Sequence, residues 1–322
     1  MRVIRLTLVA LAVWAGAAPA NEIEKCETHA QGEPQLCGYE LTSVGYTKDS
    51  DDVGFLDLRL SLRFQVMPEL MTRAMNGLSP GLGDNSGLYF AFSGRFGQYI
   101  GTRDSSPVVE KRFEPKLFIR HWLGPPDQHR EYWDFAYGHE SNGQSIHTAA
   151  QLAAARASAE RPEFASDQIS RGWDFVELTR KLVLRDDGNA VAGYLRARYF
   201  LSKGLLQGDA EQYQPFENDS EGKARNRVGG LSATMRYRRG WDRGSVPEEG
   251  LGNVIFSGTQ VTIGYETGYR DPFRYSTFRF ELGRKVYQVP VNFWFQTGYN
   301  SDLALYYKRV NSRGIEIQFS TF

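Results

Sequence analysis

The sequence predicts an all-β chain, a twelve-stranded antiparallel transmembrane β-barrel, and three observations lead there. Period-two alternation of apolar and polar residues recurs in twelve stretches that fill nearly all of the chain. The 322 residues average out as polar, with a mean hydropathy of −0.46, yet 13% are aromatic and 33 are glycine, which suits neither a helical bundle nor a disordered chain. Beyond the first twenty residues no uncharged apolar run approaches the roughly 18 residues of a transmembrane helix. Alternating strands cross a bilayer without such a run, because their two faces average out.

The elements follow in order. Arg2 and Arg5 precede the apolar stretch Leu6 to Ala18, and Ala18-Pro19-Ala20 has the form of a cleavage site, so residues 1–20 read as a secretory signal peptide. Residues 21–37 form an N-terminal periplasmic segment with both cysteines, Cys26 and Cys37. An oxidising compartment favours a disulfide there over a metal or redox site. Residues 38–322 form the barrel. Its strands are expected near 38–47, 53–66, 86–100, 111–122, 130–141, 171–185, 190–201, 227–239, 254–265, 273–283, 289–298 and 311–322. The pattern is plainest at 53–66, where Leu56, Leu58, Leu60, Leu62 and Phe64 share one face and Asp57, Arg59, Ser61 and Arg63 the other. Connections are short at 186–189 and long at 142–170 and 203–226, as barrels with short turns on one side and long loops on the other require. The long 142–170 connection contains a helix former, Thr148 to Ala157, read as a short surface helix within an insertion.

Polarity in an unexpected place marks the candidate site. On the strand near 130–141 the odd positions Trp133, Phe135 and Tyr137 form the apolar, lipid-directed face, which ends in His139 and Ser141. A histidine and a serine at i and i+2 on one strand face stand side by side. That is the nucleophile and base pair of acyl transfer. On the next strand Asp174 begins a face continued by Val176, Leu178, Leu182 and Leu184, and antiparallel pairing brings it level with His139. Arg180 interrupts that face, which suggests a local change of register. Taken singly, each of the three polar residues has an ordinary explanation as a surface group, a turn or a strand cap. Together they put the residue types of a triad on lipid-facing positions, where polarity is costly.

These stretches resemble the bacterial outer-membrane phospholipase A family. The resemblance is sharpest at Ser105-Ser106-Pro107 with Phe113 to Phe118, at Tyr137-Gly-His-Glu-Ser-Asn-Gly143, at Ser170-Arg-Gly-Trp173 and at Gly298-Tyr299. It implies a twelve-stranded barrel that hydrolyses acyl esters of phospholipids and lysophospholipids, requires Ca2+ and is active as a homodimer. By position it makes Ser141 the nucleophile, His139 the base and Gly143 a backbone donor to the oxyanion. Asp174 stands where the family has Asn, which keeps the role and changes its electrostatics. The implied calcium ligands are Ser105 on one chain, through its backbone carbonyl, and Gln144 (carbonyl) and Ser170 (hydroxyl) on the other. The family has Arg at the position of Gln144. Hard oxygen donors of this kind suit calcium.

With both termini periplasmic, the loops after the odd-numbered strands face outward, 101–110 and 142–170 being the second and third of them, and the substrate is lipid of the outer leaflet. Competing signatures are missing. Ser141 has no flanking glycines of a nucleophile elbow, and Glu140 is not followed by the second histidine of a zinc protease. The 38 basic and 38 acidic residues balance, so nucleic acid is not an expected partner. The alternative is a non-enzymatic outer-membrane barrel, porin-like or structural.

Overall fold

Alternation along the chain becomes sidedness in the computed structural model, which describes residues 36–50, 53–101, 107–124, 130–186, 189–207, 225–240, 256–286 and 289–319. The strands are β1 (Cys37–Gly38), β2 (Ser43–Asp49), β3 (Gly54–Gln65), β4 (Ser86–Gln98), β5 (Val108–Leu123), β6 (Glu131–Ser141), β7 (Gly172–Asp186), β8 (Asn189–Phe200), β9 (Gly230–Arg239), β10 (Phe256–Gly268), β11 (Thr277–Val286), β12 (Val289–Gly298) and β13 (Val310–Gln318). From β2 to β13 each pairs antiparallel with the next, and β13 pairs back onto β2, so twelve strands close a barrel and leave no free edge.

On β3, Leu56, Leu58, Leu60 and Phe64 are exposed on the outer wall, while Asp57, Ser61 and Arg63 are buried inside. The same division holds across the barrel on β11 to β13. There Phe278, Phe280, Phe293, Phe295, Ile315 and Ile317 point out, and Glu281, Trp294 and Glu316 point in. The wall is therefore apolar outside and polar inside, as a barrel embedded in lipid is built.

Many buried charges of the interior are paired. Arg198 bonds Glu114 at 2.6 Å and Glu177 at 2.6 Å, and Lys116 lies 3.0 Å from Glu114 and 3.2 Å from Glu177. Arg120 and Asp134 form a bidentate pair at 2.7 Å. Such forked geometry, with several partners per charge, offsets the cost of taking ions out of water.

Three expectations need correction. The first strand, expected from residue 38, starts its barrel ladder at Ser43. Cys37 and Gly38 still pair with Arg63 and Leu62 of β3, but the chain between leaves the ladder, because Tyr39 packs on Phe118 (ring centroids 5.0 Å) and under Lys116 (4.6 Å) in the interior. Long connections are not confined to one rim: the 66–85 connection lies on the rim of the short turns and carries α1 (Pro68–Leu78). Nor is there a register change at Arg180. It pairs in regular register with Trp133, and the irregularity falls at Val183/Arg185. Arg180 tolerates its outward position by reaching the strand start, where it binds Glu131 and the carbonyl of Tyr132. Cys37 is disulfide-bonded. Cys26 and the signal segment lie outside the described residues.

The rim opposite the termini carries the connections 99–107, 142–171, 201–229 and 299–309. The last of these folds over the mouth. Leu303 and Tyr306 are fully buried, and Tyr306 meets Trp173 edge-on at 5.2 Å. Arg112 bonds the carbonyl and side-chain oxygens of Asn300 from below. Burial here pushes the Asp302 carboxyl above its ordinary pKa, although the Ala304 N–H and the nearby arginines pull it down.

Candidate active site

Strand register assembles the site. Within the β6–β7 pair His139 stands directly opposite Asp174, and Ser141 opposite Gly172. Because successive side chains alternate, His139 and Ser141 share the outer face with exposed Phe135, while buried Asp134 and Glu140 face inward. His139 Nδ1 lies 2.6 Å from Asp174 Oδ1. That contact directs the other ring nitrogen, Nε2, away from the acid and makes it the one available to a neighbouring hydroxyl. Among the described residues no hydrogen bond joins Ser141 to the ring, an arrangement common where a base and nucleophile tighten only around substrate.

Local sequence explains how the strand end is shaped. A Cβ at Gly138 would collide with Phe175 across the pair, so glycine lets β6 and β7 approach one residue before His139. Gly143 has φ +57°, a left-handed conformation that turns the chain away just past Ser141. Between them Asn142, 2% exposed, is a buried clasp. Its amide nitrogen donates to the Ile169 carbonyl at 2.8 Å, and its oxygen accepts from the Arg171 N–H at 2.9 Å.

The insertion is pinched at its base. Ile146 donates to the Gln168 carbonyl at 2.9 Å, and Ser170 donates to the Ile146 carbonyl at 2.8 Å. Above this neck the expected helix is present as α2 (Ala149–Ser158), with Thr148 and Gln151 forming a capping box. Its Leu152 is buried with Ile146, Ala165, Ile169 and Ala304. The insertion is thus a small folded cap and not a loose loop.

Of the implied calcium ligands, Gln144 and Ser170 come together in this neck, between the Asn142–Arg171 and Ile146–Ile169 pairings. Ser105 lies outside the described residues. The Gln144 side chain is committed to the Val109 carbonyl at 3.1 Å, which ties the neck to β5, the strand that follows the 99–107 connection. Carbonyl and hydroxyl oxygens fit a hard cation; among the described residues no group of three or more His, Cys, Asp or Glu is placed to hold a metal ion.

Sequence reasoning missed the residues around Asp174. Tyr137, one step back on the same outer face as His139, donates its hydroxyl to Asp174 Oδ2, and the Leu206 N–H donates to the same oxygen at 2.7 Å. The sign for Tyr137 was present, since it shares the His139 face two residues earlier. Nothing in the sequence signals Leu206. The motif residues Arg171 and Trp173 turn out to be structural, reaching inward to Tyr306 of the mouth loop.

At the level of sequence no family model matches the chain, and no similar curated protein is found. Similarity emerges in three dimensions. Outer membrane phospholipase A from Escherichia coli superposes with a TM-score of 0.57 at 16% identity, covering 89% of this chain and 100% of that one. The calcium-bound dimer of the Salmonella typhi outer membrane phospholipase superposes with a TM-score of 0.58 at 16% identity, covering 93% of this chain and 98% of that one. This chain therefore has the fold of outer membrane phospholipase A, a closed antiparallel barrel of twelve strands.

Proposed function

We propose that the chain is a member of the phospholipase A family of the outer membrane: a calcium-dependent acyl hydrolase of phospholipids and lysophospholipids. The observation that carries this reading is the His139–Asp174 contact at 2.6 Å on the outer wall, with Ser141 next on the same face. A polar triad on an apolar wall is costly unless it is used. Its position suits an ester presented laterally by lipid.

In this reading His139 Nε2 takes the Ser141 hydroxyl proton as the oxygen attacks the ester carbonyl. Asp174 holds the ring and stabilises the imidazolium. The Gly143 N–H donates to the developing oxyanion. Collapse of the tetrahedral species breaks the ester bond, and His139 returns the proton to the leaving lysophospholipid alkoxide. Water, deprotonated by His139, then releases the fatty acid from Ser141. Gln144 and Ser170, with Ser105 of a second subunit, would hold calcium beside this point. When bound, the ion supplies positive charge for the oxyanion.

Residues 1–20 direct export, residues 21–37 lie in the periplasm and the loop-bearing rim faces outward, where outer-leaflet lipid is available. The porin alternative needs an open aqueous lumen. The Glu114–Arg198–Glu177–Lys116 network across the interior and the mouth loop over the rim weigh against it.

The test is hydrolysis of phospholipid in mixed micelles by refolded protein. Calcium should support turnover, and EDTA should reduce it to background and shift the protein from dimer to monomer. Full turnover by a monomer in EDTA would contradict the proposal.

A further inference from the structure

Asp174 is gripped from more sides than the orientation of an imidazole requires. Oδ1 faces His139, while Oδ2 accepts from both the Tyr137 hydroxyl and the Leu206 N–H. The Tyr137 oxygen in turn accepts from the Leu205 N–H at 2.8 Å. The Asp174 backbone is held as well, its N–H donating to Gln207 Oε1 at 3.1 Å and its carbonyl accepting from the Leu201 N–H at 2.8 Å. Gly204 lies so close to the carboxylate that a Cβ there would collide with it. Two elements therefore converge on one acid: Tyr137 from β6, and a strap formed by residues 201–207 that follows β8. The strap does not owe its place to its leucine side chains, since Leu205 and Leu206 remain 88% and 62% exposed.

We propose that Tyr137 and the 201–207 strap are a positioning device that makes this triad specific for a carboxylate at position 174. The inference rests on the reading of Ser141 and His139 as the reacting pair. A carboxylate oxygen accepts two hydrogen bonds, whereas an amide nitrogen only donates. With Asn at 174, the amide oxygen has to turn toward Tyr137 and Leu206, and the NH2 group then faces His139 Nδ1. That forces the ring proton onto Nε2, the nitrogen that must receive the Ser141 proton. In the opposite orientation the Leu206 N–H meets an NH2 group and loses its acceptor. Neither orientation serves both partners, so the residue that would look most conservative at this position is excluded by its surroundings.

Steady-state kinetics in calcium, together with the low-field proton NMR signal of the His139–Asp174 bond in 15N-histidine-labelled protein, test this. Asp174→Asn should lower kcat by about a hundredfold, with KM within about twofold of wild type, and should abolish the low-field signal. Tyr137→Phe, which removes one donor and no packing, should lower kcat by about tenfold at unchanged KM and move the signal upfield. Gly204→Ala should reproduce that pattern from the strap side. A merely structural role would reduce the yield of folded barrel and leave kcat of the folded fraction and the proton signal at wild-type values. That result, or wild-type kcat in Asp174→Asn, overturns the proposal. The spectroscopic arm needs no turnover. A wild-type protein without hydrolysis would remove the phospholipase reading, while the proton signal still decides whether Tyr137 and the strap hold the pair.

Discussion

The two sides of the barrel wall treat charge in opposite ways. Inside, Glu114, Lys116, Glu177 and Arg198 compensate one another within a polar lumen, and each has at least two partners of opposite sign. Outside, His139, Ser141 and Asp174 sit on a face made mostly of Phe135, Val176 and similar apolar groups, and of the three only the acid is fully enclosed. The inner network is what a polar lumen needs in order to hold together. The outer group contributes nothing of that kind to the barrel, and its three members are the ones whose chemistry is complementary. Polarity matched on all sides serves the stability of the barrel, whereas polarity set against apolar surroundings marks a candidate site where the residue types also complement one another chemically.

The largest effects are expected on the outer side. Ser141→Ala and His139→Ala should each lower hydrolysis by about 10^4-fold, with the barrel still folded, because both lie at a strand end and fill no packed core. Heat-modifiable migration on gels and calcium-supported turnover read the two quantities separately. A variant that loses both together would place these residues in the framework instead.

The inside predicts the reverse. Arg198→Ala strips Glu114 and Glu177 of a shared partner and leaves two buried carboxylates with Lys116 alone. Removing one member of a buried ion network costs about 3 kcal/mol. Equilibrium unfolding in urea from lipid vesicles should show that loss, while kcat of the folded protein stays near wild type. Unchanged stability would mean that water in the lumen replaces the guanidinium.

A smaller effect is expected at the far end of the same outer face. Arg180 and Glu131 are also polar groups on the lipid side, but they lie near the terminal rim and Glu131 is 32% exposed. Arg180→Leu should change stability by less than about 1 kcal/mol and leave turnover intact, since a partly exposed pair is worth little. A loss of activity there would show that outer-face polarity alone does not single out the site.

The twelve barrel strands were legible because a two-residue period survives any uncertainty in their ends. Leu56 to Phe64 and Phe278 to Leu282 declare their outer face without a partner being known. His139, Ser141 and Asp174 were legible for the complementary reason, being polar where that period calls for apolar. What stayed hidden depends on contacts between distant segments. The hydrogen bonds from Leu205 and Leu206 to Tyr137 and Asp174 come from backbone N–H groups, which carry no residue signature. The inward turn of Tyr39 onto Phe118 needs the interior to exist before it makes sense. The helix α1 was legible and overlooked: Met67, Leu70, Met71, Ala74, Met75 and Leu78 have helical spacing. The Asn142 clasp reads in sequence as part of a turn, and only the pairing of Ile169 and Arg171 across a 27-residue and a 29-residue separation reveals its work.

Everything proposed for the outer wall depends on Ser141 being an activated nucleophile. Incubation of the refolded protein with a long-chain sulfonyl fluoride, followed by peptide mass spectrometry, tests it without any assumption about head group or acyl position. A single adduct on Ser141 is expected, forming in calcium, slowing in EDTA and failing to form in His139→Ala. An unmodified Ser141 in active, calcium-loaded wild-type protein, or an adduct on another serine, would contradict it.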